Sequence, residues 1–461
     1  MTEKDETGKS EKQLESEDVP ITADPIHTQA DPVTVAPVPV KPSERIQAID
    51  VLRGVAVLGI LVMNVVFFGW PMPGYENPIF SGGSDVVNTS AWVINTMFFS
   101  GKMMSLFSIL FGAGLILMSD RAEARGASNL GTYYRRIFWL FCIGMIHAYL
   151  IWAGDILVMY ALCGLLLYLF RRRSPRLLII VGVILIVVQL ALGLGFSQYA
   201  NFMSGIAAQV EVDKAAGREP EEWQLAIQKG WEDGMRAFLD PNQDDVSKVI
   251  EDYRGSYLEI VKTRAPEVLM MQIFGFLLFG LWGAGGRMLL GMAFMKLGIL
   301  SAERTWRFYQ RMALAGYGAG IPLTAFGVAN LMAHDYSPLD ASLGTLVVGL
   351  GMVPVALGHA ALVMMICKAG LAANLLDRLA AVGRMALTNY LLQSIICTTL
   401  FYGYGGNLFG RVDRLGLWGI VLVIWLVQLV ASPIWLKHFR YGPAEWMWRS
   451  LSYWRRQPFR N

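Results

Sequence analysis

The sequence predicts an all-α polytopic membrane protein with about ten transmembrane helices, both termini in the cytoplasm and a helical cap formed by an outer loop. Hydrophobic residues make up 54% of the 461 residues and charged residues only 16%, whereas soluble domains have about 25% charged residues. The mean hydropathy is +0.43. Apolar runs of roughly 20 residues, the length that spans a bilayer, recur along the chain. Lys and Arg gather on alternate connections between them.

The first 44 residues predict a disordered cytoplasmic tail. They are rich in Glu, Lys, Thr and Pro and hold six of the nineteen prolines, so the segment cannot bury enough apolar surface to fold. No apolar run follows a basic start, and a cleaved signal peptide is therefore not expected.

Ten apolar segments follow from Ile49 onward, five before and five after a long polar loop. The third and fourth are short and are joined by a tight turn at 152–155. Helices one to five are expected within 45–196, the loop at 197–265 and helices six to ten within 266–436. The ten predicted spans are 51–70, 91–118, 137–152, 156–170, 177–196, 267–298, 312–333, 341–367, 384–402 and 415–436.

The distribution of basic residues predicts the orientation of these spans. One set of connections carries clusters of Lys and Arg and continues into a basic tail at 437–461, while the other set is nearly bare. Because Lys and Arg favour the cytoplasmic side, both termini are expected there. The short loops of the other side are 71–90, 153–155 and 334–340, without Lys or Arg, and 403–414, with Arg411 and Arg414.

The loop at 197–265 is the exception, with eight Lys or Arg and thirteen Asp or Glu. Long loops cross a membrane regardless of their charge. Apolar residues at helical spacing within 221–261 predict amphipathic helices that form a small outer cap. The cap is either a lid over a site or a solvated connector.

Composition also excludes several classes of function. A net charge of +3 is too small to indicate a nucleic-acid partner. The cysteines lie in apolar stretches without a CxxC pair and without histidines at metal-ligand spacing, so we expect core residues and no metal site. They are Cys142, Cys163, Cys367 and Cys397.

The first span carries three polar candidates. Asp50 and Arg53 are three residues apart on one helix face, which suits an ion pair, and the guanidinium also suits a phosphate. Asn64 follows eleven residues later on nearly the same face. Together they form a polar track across the span, either for function or for helix packing.

Other ionisable residues in spans are candidates because their burial in a membrane is costly. Lys102 follows a Ser-Gly pair at 100–101, where a helix break would place it at the rim of an outer cavity, free to hold an anion. The alternative is a snorkelling lysine. Arg287 and Arg384 are expected to join Arg53 in a basic inner mouth.

His147 and Asp155 form the most informative pair. His147 lies about one and a half turns below the outer turn that bears Asp155, and histidine titrates near neutral pH. A general base oriented by a carboxylate is the functional interpretation, and a satisfied core histidine is the alternative. His359 has no acidic neighbour in sequence, and we interpret it as a core residue.

Five motifs carry a resemblance to a known family. The chain resembles the YeiB-like family of bacterial inner-membrane proteins, a domain of unknown function, over about residues 45–455. The resemblance implies a bacterial cytoplasmic membrane. The motifs are RIQAIDVLRGVAVLGILVMN, FFSGKMMSLFSILFGAG, GMIHAYLIWAGDILVMYAL, GRMALTNYLLQS and FRYGPAEWMWRSLSYWRR.

The first span is also distantly similar to the transmembrane acyltransferase superfamily, which passes an acyl group from cytosolic acyl-CoA to an acceptor across the membrane. The Asp-x-x-Arg-Gly motif that begins at Asp50 matches it in part. One branch has its catalytic histidine where this chain has Asn64. The other has Asn there and a histidine in the outer loop, where this chain has Tyr75 and Glu76. Neither catalytic base is therefore carried over.

This resemblance implies acyl-CoA as co-substrate, without a permanently bound cofactor. The phosphates of acyl-CoA would bind at Arg53 beside Asp50, with Arg287 or Arg384 nearby. Membrane lipids, acyl-CoA and an unknown acceptor are the expected partners, and a homo-oligomer is left open.

In the corresponding mechanism His147 replaces the missing base, and Asp155 orients it. Asn64 or Lys102 would stabilise the oxyanion. Two alternatives stay open at this point. One is a transporter or exporter of a small anionic or proton-coupled solute, against which we find no inverted repeat. The other is a non-catalytic membrane scaffold.

Overall fold

The structure is a computed structural model that describes residues 46–83, 85–126, 129–337 and 339–461. The predicted tail at 1–44 lies outside the described residues. The described chain is helical apart from loops and one isolated bridge between Phe439 and Arg460. Its α-helices are α1 (Gln47–Gly69), α2 (Met72–Glu76), α3 (Val86–Phe98), α4 (Lys102–Glu123), α5 (Leu130–Ile146), α6 (Leu157–Leu167), α7 (Pro175–Ala215), α8 (Glu222–Gly234), α9 (Arg236–Leu239), α10 (Gln243–Tyr253), α11 (Tyr257–Met270), α12 (Leu281–Lys296), α13 (Trp306–Ala333), α14 (Ser342–Ala369), α15 (Ala373–Arg384), α16 (Ala386–Phe401), α17 (Arg414–His438) and α18 (Pro443–Tyr453).

The described helices include six that are long and apolar enough to cross a membrane: α1, α3 with α4, α7, α13, α14 and α17. A seventh forms if α11 and α12, which are bent by 61° about a π-helical segment, count as one span. The prediction of a helical membrane protein is confirmed, but the count of ten spans is not. Segments 137–152, 156–170 and 384–402 contain helices that are too short to count here.

The predicted break in the second span is present. α3 ends at Phe98 and α4 begins at Lys102, and Gly101 between them has a φ of +71°. Residues with a Cβ rarely adopt this left-handed conformation, which explains the glycine at the break. The two helices together still form one candidate membrane span, Val86–Glu123.

Glycines set how closely the central helices approach each other. A Cβ on Gly112 of α4 would overlap the carbonyl oxygen of Met288 in α12, and a Cβ on Gly291 of α12 would overlap that of Ile109 in α4. Small residues allow such contact between membrane helices. α4 and α12 therefore touch backbone to backbone at the centre of the core.

Glycines also allow close contact between α1 and α15. A Cβ on Gly54 would overlap the carbonyl oxygen of Leu379, and a Cβ on Gly383 would overlap that of Asp50. The glycine of the Asp-x-x-Arg-Gly motif thus has a packing role, because it brings α15 against the polar start of α1.

One end of the bundle, the capped face, is covered by helices α8–α11. α7 continues through the predicted end of its span at residue 196 and reaches Ala215, so the cap begins as an extension of a span. Trp231 of α8 is buried against Ala200 and Met203 of α7. The amphipathic helices predicted within 221–261 are present.

The other end, the basic face, carries the C-terminal helix α18, which packs against α5. The indole of Trp448 donates a hydrogen bond to the carbonyl of Arg136, at 2.8 Å. α1 connects the two faces, since Asp50 lies near its start and Phe68, near its end, packs in one cluster with Tyr253 and Ile260 of the cap. The segment at 437–461 is thus an integral part of the bundle.

The α4–α12 contact predicts a position-specific loss of stability. Gly112→Ala should lower the free energy of unfolding by about 1–3 kcal/mol, because its Cβ overpacks against a backbone carbonyl. Gly114→Ala on the same helix is the matched control, since its Cβ meets no heavy atom within 4 Å. Thermal unfolding of both variants in detergent measures the effect, and equal midpoints would contradict the proposed contact.

Candidate functional site

The His147–Asp155 pair lies at a break between α5 and α6. His147 begins a π-helical turn, His147–Ile151, that ends α5. Its Nδ1 lies 2.7 Å from Oδ2 of Asp155, and the two side chains are 1% and 2% exposed. The other carboxylate oxygen of Asp155 accepts a hydrogen bond from the backbone N–H of Val158, at 2.8 Å. Asp155 thus holds the histidine and caps the start of α6 at the same time.

This contact determines which nitrogen of His147 is available for chemistry. A carboxylate can only accept a hydrogen bond, so Nδ1 carries the proton in the neutral imidazole. Nε2 is then left with a free lone pair, and it is a buried atom with no hydrogen-bond partner in the described part of the chain. A histidine oriented by a carboxylate, with the second nitrogen free, is the arrangement of a general base.

The carbonyl groups of the π-helical turn are held by the capped face. Arg264 of α11, which is 1% exposed, donates to the carbonyls of Ile151, at 2.6 Å, and Tyr149, at 2.8 Å. The hydroxyl of Tyr257 donates to the carbonyl of Leu150, at 2.9 Å. Carbonyls at a helix end lack partners within the helix. The cap supplies these partners to three consecutive residues and so braces the turn that begins at His147.

One cavity, here called the basic cavity, opens among α1, α4, α5, α6, α15, α16 and α18. Six arginines line it against two carboxylates, Asp50 and Glu445, so it attracts anions. Its aromatic residues near the basic face are Tyr441, Trp448 and Tyr453. The six arginines are Arg53, Arg121, Arg136, Arg384, Arg440 and Arg449.

The inner part of the basic cavity is largely apolar and comes near the histidine, which does not itself line the cavity. Phe107, Leu157, Tyr160 and Tyr390 line this part. The ring of Tyr390 lies 5.1 Å from the ring of His147, measured between centroids. The cavity thus runs from a cluster of guanidinium groups to the neighbourhood of the candidate base.

A second cavity, here called the apolar cavity, lies on the other side of the pair. Asn64, Trp152 and Asp155 line it, together with residues of the π-helical segment Met271–Gly280. Ile156 lines both cavities. Their volumes of about 290 Å³ and 340 Å³ are near the lower end of the range for ligand pockets. Asp155 lines the apolar cavity, and His147 lines neither cavity but contacts Tyr390 of the basic cavity, so the pair lies between the two spaces.

Comparison with known proteins identifies the family. The uncharacterized protein YxaH of Bacillus subtilis is 33% identical over 91% of this chain and 97% of its own length. The uncharacterized protein YeiB of Escherichia coli is 32% identical over 89% of this chain and 96% of its own length. The chain belongs to the YeiB-like family.

Further comparisons agree with this assignment to the YeiB-like family. An uncharacterized 39.9 kDa protein from the amylase 3' region of Bacillus acidopullulyticus is 26% identical over 91% of this chain and 97% of its own length. The profile of a family described as protein of unknown function (DUF418) matches residues 294–455. No solved structure matches the chain significantly.

Several predicted site residues of this YeiB-like chain come together. Arg53 and Asp50 form the predicted ion pair, with Nη1 at 2.9 Å from Oδ1, and both line the basic cavity with Arg384. Asn64 lines the apolar cavity instead. The polar track along α1 therefore connects the two cavities at its two ends.

The predicted positions of Lys102 and Arg287 are wrong. Lys102 is fully buried, and its Nζ donates to the carbonyl of Thr96, at 2.6 Å. It lies neither at an exposed cavity rim nor at a membrane surface, because the break at Gly101 keeps the start of α4 inside the bundle. Arg287 is 4% exposed within α12 and does not line the basic cavity.

Four arginines of the basic cavity were not predicted as site residues, and Glu445 was a candidate ionisable residue of the C-terminal segment without a predicted role. Arg121, Arg136, Arg440 and Arg449 were interpreted only as signals of orientation. Glu445 is buried, and it accepts hydrogen bonds from the backbone N–H groups of Leu387, at 2.7 Å, and of Thr388, at 3.1 Å. Burial raises the pKa of the Glu445 carboxyl. It joins α18 to the start of α16.

His359 has the core role that its sequence context indicated. Its Nδ1 lies 2.8 Å from the hydroxyl of Tyr317, and its Nε2 lies 3.0 Å from the carbonyl of Phe98. Both ring nitrogens are therefore satisfied, unlike those of His147. His359 is accordingly a matched control for substitutions of His147.

The brace from the cap predicts a local change in dynamics. Arg264→Ala should increase amide hydrogen exchange in residues 147–158, because two carbonyls of the turn lose a charged donor, each such bond being worth about 1.5–3 kcal/mol. Hydrogen exchange followed by mass spectrometry measures this. The control is Arg411→Ala, an exposed arginine elsewhere in the chain. Unchanged protection of the turn in Arg264→Ala would rule out the brace.

Proposed function

We propose that this chain is a transmembrane acyltransferase, which passes an acyl group from cytosolic acyl-CoA to an acceptor on the other side of the bilayer. The observation that carries the proposal is the position of the His147–Asp155 pair between the basic cavity and the apolar cavity. A donor and an acceptor can approach one base from opposite faces. The family resemblance noted for the first span agrees with this chemistry.

In this proposal the basic face is cytoplasmic. The Lys and Arg of the short connections and of the C-terminal segment favour that orientation. The basic cavity would then open to the compartment that contains acyl-CoA, and the capped face would be extracytoplasmic in a bacterial cytoplasmic membrane.

The basic cavity suits acyl-CoA in two respects. The phosphates of acyl-CoA carry several negative charges, and guanidinium groups bind phosphate through paired hydrogen bonds. Arg384 is well placed for this because its Nε is buried without a hydrogen-bond partner in the described part of the chain. The largely apolar inner part, with Tyr160 and Tyr390, would receive the pantetheine arm and bring the thioester near His147.

The transfer itself needs a base and an oxyanion donor. Nε2 of His147 takes the proton from the hydroxyl or amine of the acceptor, whose oxygen or nitrogen attacks the thioester carbonyl carbon. The carbon–sulfur bond then breaks, and the coenzyme A thiolate takes the proton from the imidazolium. Asp155 stabilises the imidazolium while it exists. The amide of Asn64, in the apolar cavity, is the candidate donor to the oxyanion.

The arrangement of two cavities is also compatible with a transporter. A solute could bind in the basic cavity and leave through the apolar cavity past Ile156, which lines both. Catalysis and transport differ in what they require of coenzyme A, so binding and turnover of acyl-CoA distinguish them.

The first prediction concerns the donor. Coenzyme A should bind to the protein in lipid nanodiscs, and Arg384→Ala should raise the Kd about tenfold or more, since one charged hydrogen bond is lost. Isothermal titration calorimetry measures the affinity. Arg455→Ala, an exposed arginine outside the cavity lining, should leave the Kd unchanged. A folded protein that does not bind coenzyme A would favour transport over transfer.

The second prediction concerns the base. His147→Gln should slow the release of coenzyme A from acetyl-CoA or octanoyl-CoA about 100-fold or more, because general-base catalysis is lost. Its affinity for coenzyme A should stay that of the wild type, which also shows that the variant is folded. His359→Gln is the control and should keep its rate. A rate for His147→Gln within twofold of the wild type would exclude this histidine as the base.

A further inference from the structure

The shape and lining of the apolar cavity indicate the class of acceptor. We infer that the acceptor is a membrane-dissolved amphiphile, a molecule with one hydroxyl or amine on a hydrocarbon chain, which reaches His147 from the bilayer through the apolar cavity. This inference rests on the proposed acyltransferase function and specifies its second substrate.

The lining of the apolar cavity suits hydrocarbon. Five methionines and the rings of Phe67, Trp152 and Phe276 line it. Besides the indole, its lining residues carry polar side chains at Asn64, Tyr75, Asp155 and Gln272 alone. A sugar, or another acceptor with many hydroxyls, would have several hydroxyl groups without hydrogen-bond partners in this cavity. Each such group costs about 1–3 kcal/mol. A single polar head group can be satisfied.

The methionines also indicate tolerance for chains of different shape. Methionine is unbranched and flexible, and it adapts to irregular apolar ligands. Met63, Met104 and Met159 contribute from three different helices, α1, α4 and α6. Such a lining binds the apolar surface of a ligand without requiring one particular ligand shape.

One helical segment lies between the apolar cavity and an exposed apolar surface, to which Ile273, Phe274 and Leu277 contribute. In the π-helical segment Met271–Gly280, Gln272, Gly275 and Phe276 line the cavity. Phe274 is 60% exposed on the outside of the same segment. π-Helical segments are rare and occur frequently at functional sites. An amphiphile that enters the cavity from the bilayer therefore has to pass only this one helical segment.

Gly275 marks the open part of this wall. A Cβ at this position would meet no heavy atom within 4 Å, so the space beside the backbone is empty. Glycine in a helix interior costs about 1 kcal/mol relative to alanine, and close packing does not explain it here. A missing side chain at this position leaves room for the hydrocarbon of an entering amphiphile.

The capped face packs closely around the turn that bears the histidine. Arg264 and Tyr257 occupy the carbonyls of the turn that follows His147. Val268, which lines the apolar cavity from α11, is 1% exposed, and Trp152 stacks on Phe68 with ring centroids 4.0 Å apart. Because these contacts fill space on the capped side of the pair, we assign the entry of the amphiphile to the side of the cavity formed by the π-helical segment Met271–Gly280.

The test measures the release of coenzyme A from acetyl-CoA by the full chain in nanodiscs of saturated phosphatidylcholine. Four acceptors are compared at equal concentration: 1-dodecanol and dodecylamine as amphiphiles, and glucose and glucosamine as water-soluble counterparts. We expect at least one amphiphile to raise the rate about tenfold or more over the rate without acceptor, and the sugars to leave the rate unchanged.

A substitution at Gly275 links the effect to the cavity. Gly275→Leu fills the open part of the wall without a backbone clash, and it should abolish the stimulation by the amphiphile while the Kd of coenzyme A is unchanged. Gly195→Leu is the matched control, because this glycine of α7 is exposed and its Cβ also meets no heavy atom within 4 Å. It should keep the full stimulation.

Each other outcome contradicts a defined part of the proposal. Stimulation by the sugars alone, or by none of the four acceptors in a protein that binds coenzyme A, would overturn the amphiphilic acceptor. Full stimulation in Gly275→Leu would overturn entry through this wall. A protein that does not bind coenzyme A would overturn the proposed function itself, before any acceptor is added.

Discussion

A hydrogen bond between two buried side chains, His147 and Asp155, joins the end of α5 to the start of α6. Buried polar groups are costly unless each finds a partner. Asp155 meets this requirement with one oxygen on the imidazole and the other on the first turn of α6, and Arg264 meets it for the carbonyls of the turn. The polar groups at the two helix ends are thus satisfied, and Ile156 between these ends lines both cavities.

The basic cavity has an excess of positive charge in its lining. Six arginines face a space that contains two carboxylates, so the guanidinium groups repel each other and an anion between them would be stabilising. Glu445 does more than compensate charge, since it accepts hydrogen bonds from the first backbone N–H groups of α16 and holds α18 in place. Arg440 and Arg449 are thereby brought to the same space as Arg53.

Close backbone contacts decide where these side chains lie. The pair Gly54 and Gly383 lets α15 touch the start of α1, which brings Arg384 to the cavity that Asp50 lines. The sequence shows glycines in both helices but cannot show that they face each other across more than three hundred residues. Hydropathy also could not predict that Lys102 is buried with its Nζ on the carbonyl of Thr96, and for this reason the predicted exposure of Lys102 was wrong.

What the sequence determined by itself is local. The apolar runs required a helical membrane protein, the three-residue spacing of Asp50 and Arg53 placed them on one helix face, and a tight turn brought Asp155 to His147. The tertiary structure alone decided the rest, because Arg440, Arg449 and Glu445 reach the site of the early helices only through contacts between distant segments. Composition and periodicity describe what each helix buries, whereas the cavity depends on which helices touch.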